Sequence, residues 1–421
     1  MFGQKIHYFR KLKGLTQEQL AHGICSVSHL SKIENGHETP SPHMLDHLCK
    51  RLNISPTEID SQGDIETITQ KLQEWYIFLG NRDLKEAAHR YPLLKEQIYQ
   101  IQDPNLLLKF KIFTLHYQLL LRDIKSARRI VKEIEPFEKK LNSDLKYYYY
   151  LFYGFYSFLN ENYFEALKLY KLAEKIRDEQ FIQEPEVYYY LSLINMQLHR
   201  TFQSFKYAEM SLNIFQRDCN YIRSIDCQIL LGVNMTRTHQ YDQAEKYLSN
   251  ALQMAEKLSN CELMSYSYHN LGYMYLSQGN YQKAIHNFLK SSECWEEEHY
   301  EKKVRTYYCL AKAYIELHDY PKAMKWIDRG VTTAKQNNLK EFVLHFKYLT
   351  FKIYPTHHIQ LETLLKNELI PYFEAKKDWY NVANYAEVLA EYYSKKFKYK
   401  DSSYYYFLVN ESRKKMYSEE S

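Results

Sequence analysis

The residues able to do chemistry in this chain are few and fall in two places. The first is a run of small polar groups, Ser26, Val27, Ser28 and His29, followed by Lys32. Hydroxyls, an imidazole and an ammonium within two helical turns suit contacts to base edges. Gln17, with Arg10, Lys11 and Lys13 just upstream, suits contacts to a phosphate backbone. The second is a scattered set of amides, charges and one phenol: Arg122, Asn234, Arg237, Asn270, Tyr273, Lys312, Asn384 and Glu391. An asparagine side chain both donates to a carbonyl and accepts from an N–H, so Asn270 is the sharpest candidate for holding an extended peptide backbone. Arg237 and Lys312 flank it in the neighbouring repeats and could hold a carboxylate.

No arrangement for catalysis accompanies them. A phosphate-cradling glycine loop, a Gly-x-Ser-x-Gly elbow and a zinc-protease motif are all missing, and 11 glycines are too few for a nucleotide fold, so neither an enzyme nor a cofactor is expected. His43 and His47 stand one helical turn apart with Cys49 nearby, a spacing that can chelate a metal. The sequence places no further ligands around them, so they read as surface histidines and no metal is expected.

The elements that must position these groups are helices. With 11 Gly and 10 Pro in 421 residues, few points can break the backbone, and 42 tyrosines suit half-buried faces of stacked helices. The net charge of +5, from 56 basic and 51 acidic side chains, is too mild to mark the whole chain as a polyanion binder. Any nucleic-acid contact must be local. Through residue 35 there are five basic residues against two acidic ones, a small basic patch. The longest apolar runs, such as Tyr147 to Leu159, fall short of the roughly 20 residues that span a bilayer. The N-terminus lacks the pattern of a signal peptide, and seven unpaired-looking cysteines suit reduced thiols, so a cytoplasmic location is expected.

Residues 1–61 read as five short helices forming one domain. Phe2, Ile6, Phe9 and Leu12 mark an apolar face closed by Gly14; Thr16 and Gln19 form a capping box; Ser26 caps a third helix whose buried pair is Leu30 and Ile33. Leu15-Thr16-Gln17-Glu18-Gln19-Leu20-Ala21, then Leu30 through Gly36, then Pro40-Ser41 resembles the helix-turn-helix domain of the phage-repressor (Xre) superfamily. The turn is one residue shorter than usual and carries Ile24-Cys25 where Gly is common, a form similar to that of the PlcR-type regulators. One such module makes few contacts, so useful affinity for double-stranded DNA requires a homodimer on a palindromic operator.

Ser61-Gln62-Gly63-Asp64 is the expected hinge, and residues 62–421 read as a repeat array. A large residue opens a helix at Leu84, Ile124, Tyr163, Phe202, Tyr241, Tyr281, Tyr320, Ile359 and Tyr399, at intervals of 39 or 40. Three residues later Ala87, Ala127, Ala166, Ala244, Ala284 and Ala323 provide the small side chain a close helix crossing needs. Nine residues before the marker, Gly154, Gly232, Gly272, Ala311 and Ala390 do the same for the preceding helix. This register resembles the tetratricopeptide repeat, lengthened by some five residues per unit over the usual period of about 34. The expected fold is therefore all-α: a helix-turn-helix domain followed by a right-handed superhelix of about nine such repeats.

Residues at offsets of minus six, minus two, plus one and plus five from the small-residue slot share one helical stripe, expected to line the concave channel. It predicts an apolar end at Tyr148, Phe152, Phe155, Leu159, Val187, Leu191, Ile194 and Leu198. A polar middle follows at Arg237, Tyr273 and Lys312, with Asn384, Glu391 and Lys395 of the last repeat facing it.

A repressor-type helix-turn-helix joined to such an array resembles the peptide-pheromone-responsive transcription regulators of Gram-positive bacteria, the PlcR/NprR-like RNPP family. The resemblance implies a homodimeric quorum-sensing regulator whose channel binds a short signalling peptide. The alternative is a Rap-like adaptor that sequesters or inhibits a response regulator, with DNA binding secondary.

Overall fold

The computed structural model describes residues 2–54, 62–295, 299–354 and 358–417, and among them there is no strand. The chain divides into two compact units, Met1–Val187 and Tyr188–Ser421.

The first unit begins with four helices, α1 (Phe2–Leu12), α2 (Gln17–Ala21), α3 (Val27–Glu34) and α4 (Pro42–Leu52). The fifth helix expected before residue 61, and the Ser61 end of the hinge, lie outside the described residues. Leu20, Leu30, Ile33, Leu48 and Leu52 close a small core with Ile6 of α1. The starts of α2 and α3 follow from their caps. Thr16 Oγ1 accepts from the Gln19 N–H at 3.1 Å while Gln19 Oε1 accepts from the Thr16 N–H at 2.8 Å, and Ser26 Oγ accepts from the His29 N–H at 3.2 Å.

Three helical hairpins complete this unit: α5 (Gln62–Gly80) with α6 (Leu84–Ile101), α7 (Pro104–Leu120) with α8 (Ile124–Ile134), and α9 (Ser143–Leu159) with α10 (Tyr163–Gln180). A 3-10 segment, Glu135–Lys140, extends α8. The four N-terminal helices rest on the second hairpin. The Phe137 ring lies 5.1 Å from that of Tyr8 and meets His7 edge-on at 6.2 Å, and Lys140 Nζ donates to Asn35 Oδ1 at 3.4 Å.

The division falls in the first turn of α11 (Glu186–Gln197), which pairs with α12 (Thr201–Arg217). The second unit continues as α13 (Tyr221–Arg237) with α14 (Tyr241–Lys257), α15 (Cys261–Gln278) with α16 (Tyr281–Cys294), and α17 (Tyr300–Glu316) with α18 (Tyr320–Gln336). The eighth hairpin joins α19 (Lys340–Ile353) to α20 (His358–Leu364), a π-helical turn at Leu365–Leu369, and α21 (Ile370–Ala375). α22 (Trp379–Lys395) and α23 (Tyr399–Tyr417) form the ninth.

The register explains the packing. All six alanines of the second-helix slot are fully buried. A Cβ placed on Gly154, Gly232 or Gly272 would sit 2.6 Å from the Tyr170 ring, 2.5 Å from Leu248 Cγ or 2.7 Å from the Phe288 ring, so only hydrogen fits there. The long period comes from the helices: α9, α13, α14, α17, α18 and α22 each run 17 residues. The tight turns use left-handed residues that are mostly not glycine. Arg82, Arg122, Glu161, His199, His239, His318 and Phe397 have φ between 55° and 62°, a position that Gly279 fills between α15 and α16.

Candidate nucleic-acid interface and ligand surface

In the N-terminal helices, α3 buries Leu30 and Ile33 and leaves Val27 (43% exposed), Ser28 and Lys32 open, with His29 half-buried. Ser26 is exposed, and its hydroxyl already serves the cap. These groups form one exposed, mostly polar face at α3.

Gln17 and Arg10 depart from the sequence reading. Both turn inward onto Glu34 at the end of α3: Arg10 Nε and Nη2 donate to its two oxygens at 2.5 and 2.7 Å, Gln17 Nε2 donates to Oε2 at 2.9 Å, and His7 Nδ1 lies 3.0 Å from the same oxygen. Burial alone would raise the Glu34 carboxyl, but the hydrogen bonds from Arg10, His7 and Gln17 outweigh it and bring it down to about 2. Arg10 is therefore a buried structural cation, and neither it nor Gln17 is offered to phosphate. Lys11 and Lys13 remain exposed.

A signal the sequence reading passed over is Glu38, just after α3. Its Oε1 accepts from Lys32 Nζ at 2.7 Å and its Oε2 lies 3.2 Å from His29 Nε2.

Most of the predicted apolar end of the channel is packed core, with Phe155 and Leu159 half-buried. Tyr148, Phe152, Val187, Leu191, Ile194 and Leu198 are buried, because most of these positions are wedged between neighbouring helices. In the first unit Tyr76 stacks on Phe113 at 4.5 Å, and Glu184 seals the cluster, its Oε2 accepting from Tyr76 Oη at 3.1 Å and its Oε1 from Tyr148 Oη. Burial and then the neighbouring Glu186 push the Glu184 carboxyl well above the ordinary range, against the opposing tyrosine hydrogen bonds. Arg122 also belongs to this unit, exposed at the left-handed turn between α7 and α8.

In the second unit the stripe opens at offsets plus one and plus five. Arg237, Tyr273, Glu391 and Lys395 are exposed there, and Lys312 is half-buried with its ammonium 5.7 Å from the Tyr308 ring centre. Arg237 Nη1 donates to the Met196 carbonyl at 2.6 Å. His199, in the turn between α11 and α12, stacks on Tyr380 of α22 at 4.8 Å, so the fourth and ninth hairpins meet. Arg237 lies close enough to act electrostatically on His199 and Tyr273, and Tyr380 close enough to act on Arg237, Tyr273 and Tyr308. Burial lowers the Arg237 guanidinium and the His199 imidazole and raises the Tyr273 phenol. An exposed guanidinium using one of its five donors leaves the others for an incoming anion.

The other nominated residues are placed differently. Asn234 is fully buried and donates through Nδ2 to Ser204 Oγ at 2.8 Å, so it bridges α12 and α13 and does not stand at a channel rim. Asn270 is half-buried and uses one of its two amide N–H donors on the Tyr266 carbonyl at 2.8 Å, one turn back in its own helix. Asn384 is exposed on α22.

His199 and Tyr380 were missed. The clue lay in the turns: His239 and His318 occupy equivalent left-handed positions and engage Tyr241 and Tyr320 through Nδ1 at 2.8 and 3.1 Å. Two residues after His199 stands Thr201 in place of a tyrosine, which leaves the His199 ring to stack elsewhere.

Two families match parts of the chain. Residues 6–59 match a family described as helix-turn-helix, and residues 263–336 one described as tetratricopeptide repeat. The chain is 32% identical over 406 residues to the transcriptional activator NprA of Geobacillus stearothermophilus, covering 94% of this chain and 99% of that protein. It is similar in fold to a Rap protein complexed with competence and sporulation factor, with a TM-score of 0.72, 22% identity, and coverage of 83% of this chain and 98% of that one. It is similar also to NprR in complex with its cognate peptide NprX, with a TM-score of 0.67, 24% identity, and coverage of 82% and 99%.

Proposed function

Since the chain belongs to the RNPP family of helix-turn-helix and tetratricopeptide transcription regulators, we propose that it is a cytoplasmic quorum-sensing regulator that binds promoter DNA as a homodimer and is switched by a short peptide. The DNA-reading part is residues 1–61, through the α3 face of Ser26, Val27, Ser28, His29 and Lys32. The regulatory part is residues 62–421, with the peptide held in the second unit. No catalytic step is involved.

The observation that carries this reading is the cluster around Arg237, where hairpins four to seven and nine bring a guanidinium, His199, Tyr273, Tyr308 and Tyr380 near one another. Arg237 takes a peptide carboxylate, the rings of Tyr273 and Tyr380 take apolar side chains, and Asn270 Oδ1 accepts from a peptide N–H. A ligand touching helices from several hairpins favours one relative arrangement of them, and that differential affinity is the switching energy. Phe137 and Lys140 of the second hairpin touch α1 and the end of α3, so a change in that hairpin reaches the DNA-reading helices by direct packing.

The test has two measurements on the full chain. Duplexes selected from a random library should carry a two-fold repeat, and small peptides eluting with the protein should change its affinity for them. Selection that enriches no sequence sinks the DNA-reading assignment; peptides without effect sink the switch. An adaptor acting on a response regulator is separated by Lys32→Ala, which weakens DNA binding and spares an adaptor. Deletion of residues 1–61 is a poorer discriminator, because it strips the cover from Phe137.

A further inference from the structure

The α3 face carries an acidic group where a DNA-reading surface should have none. Glu38 follows the helix by four residues, and its carboxylate bridges Lys32 Nζ at 2.7 Å and His29 Nε2 at 3.2 Å. Lys32 and His29 are two of the groups nominated for base contact, and Lys32 is the one fixed cation among the six nominated residues. The Lys32 hydrogen bond, ahead of the opposing effect of burial, keeps the Glu38 carboxyl below its ordinary range, so it is ionised at neutral pH.

Two consequences follow from charge and geometry. A duplex approaching this face meets a carboxylate already occupying the ammonium that would otherwise release a counterion from the backbone, so non-specific attraction is reduced. Because one carboxylate engages Lys32 and His29 together, it restrains both side chains from swinging out to phosphate.

We propose that Glu38 is a selectivity residue: by pairing with Lys32 and His29 it suppresses sequence-independent binding and directs the two side chains to bases. It is a positioning residue, acting through Lys32. The inference rests on the DNA-reading assignment above and adds to it a determinant of specificity.

The experiment compares the full-length chain with Glu38→Gln, Lys32→Ala and the double variant. Affinity is measured over a salt series, on a random-sequence duplex and on a duplex selected by the unaltered chain. E38Q should bind the random duplex on the order of ten-fold more tightly, with a salt slope steeper by about 0.9, one additional phosphate contact. Its preference for the selected duplex should shrink by a similar factor. In the Lys32→Ala background the Glu38→Gln substitution should lose most of its effect, which a purely structural role for the loop does not predict. An unchanged salt slope, or equal weakening on both duplexes, overturns the proposal while leaving the DNA-reading assignment intact. If the unaltered chain binds neither duplex, that assignment falls and takes this inference with it.

Discussion

Arg10 and Glu34 form a buried ion pair, guanidinium Nε to carboxylate Oε1 at 2.5 Å, that ties α1 to the end of α3. Removing one partner leaves an uncompensated charge. Arg10→Met should destabilise residues 2–54 by about 3–5 kcal/mol, seen as faster amide hydrogen exchange there, with little change in hairpins four to nine. The Glu34 carboxyl is lower in the fold, at about 2, than its ordinary 4.5, so its ionised form is the stabilising one. That contribution, about 3 kcal/mol by linkage, is complete above pH 4.5 and disappears as pH falls toward 2. Exchange protection that is flat across this window would refute the account.

Gly272 and Gly80 should respond in opposite directions to alanine. A methyl on Gly272 meets the fully buried Phe288 ring at 2.7 Å, whereas one on Gly80 meets nothing within 4 Å. Overpacking costs about 1–3 kcal/mol, and alanine in a helix gains at most about 1 kcal/mol over glycine. Thermal unfolding should therefore place Gly272→Ala below the unaltered chain and Gly80→Ala at or above it.

Glu184→Gln tests the buried carboxyl under Tyr76 and Tyr148. Its pKa is raised in the fold, so the neutral acid is the stabilising form and the unaltered protein loses stability as pH climbs from the ordinary carboxylate range toward neutrality. Glutamine does not ionise. Denaturant titrations should show no benefit of Glu184→Gln in acid and a benefit on the order of 2 kcal/mol at neutral pH. A benefit that ignores pH would mean Glu184 stays ionised throughout.

Arg237→Ala should cut affinity for the co-purifying peptide by on the order of 100-fold, the loss expected when a charge-assisted contact to a carboxylate is removed. Arg237→Lys should recover only part, since an ammonium cannot reproduce the planar fork. Asn234→Ala, by contrast, should lower stability through the lost bridge to Ser204 and leave any residual peptide affinity unchanged in well-folded protein. Titration calorimetry separates these outcomes, and an Arg237→Ala protein that binds as before removes Arg237 from the site.

Nine hairpins and their register were readable because close helix crossings impose a chemical demand at fixed intervals. Ala244 and Gly232 recur in sequence because Leu248 and its neighbours leave no room for anything larger. Caps were readable for the same reason, since Thr16 with Gln19 and Ser26 satisfy amides only three residues away. The residues misjudged are those whose direction depends on a distant helix. Arg10 and Gln17 look like phosphate ligands until α3 brings Glu34 between them. Asn234 looks like a rim residue until Ser204 of the preceding helix takes its amide.

Local spacing thus specified the helices, their pairing and the polar face of α3, because each depends on groups within a turn or two of one another. Whether a side chain on those helices meets solvent, a neighbour or a ligand depended on how successive hairpins lean together. His199 and Tyr380, 4.8 Å apart in space and five hairpins apart in sequence, share a surface only because small rotations between hairpins accumulate over that distance.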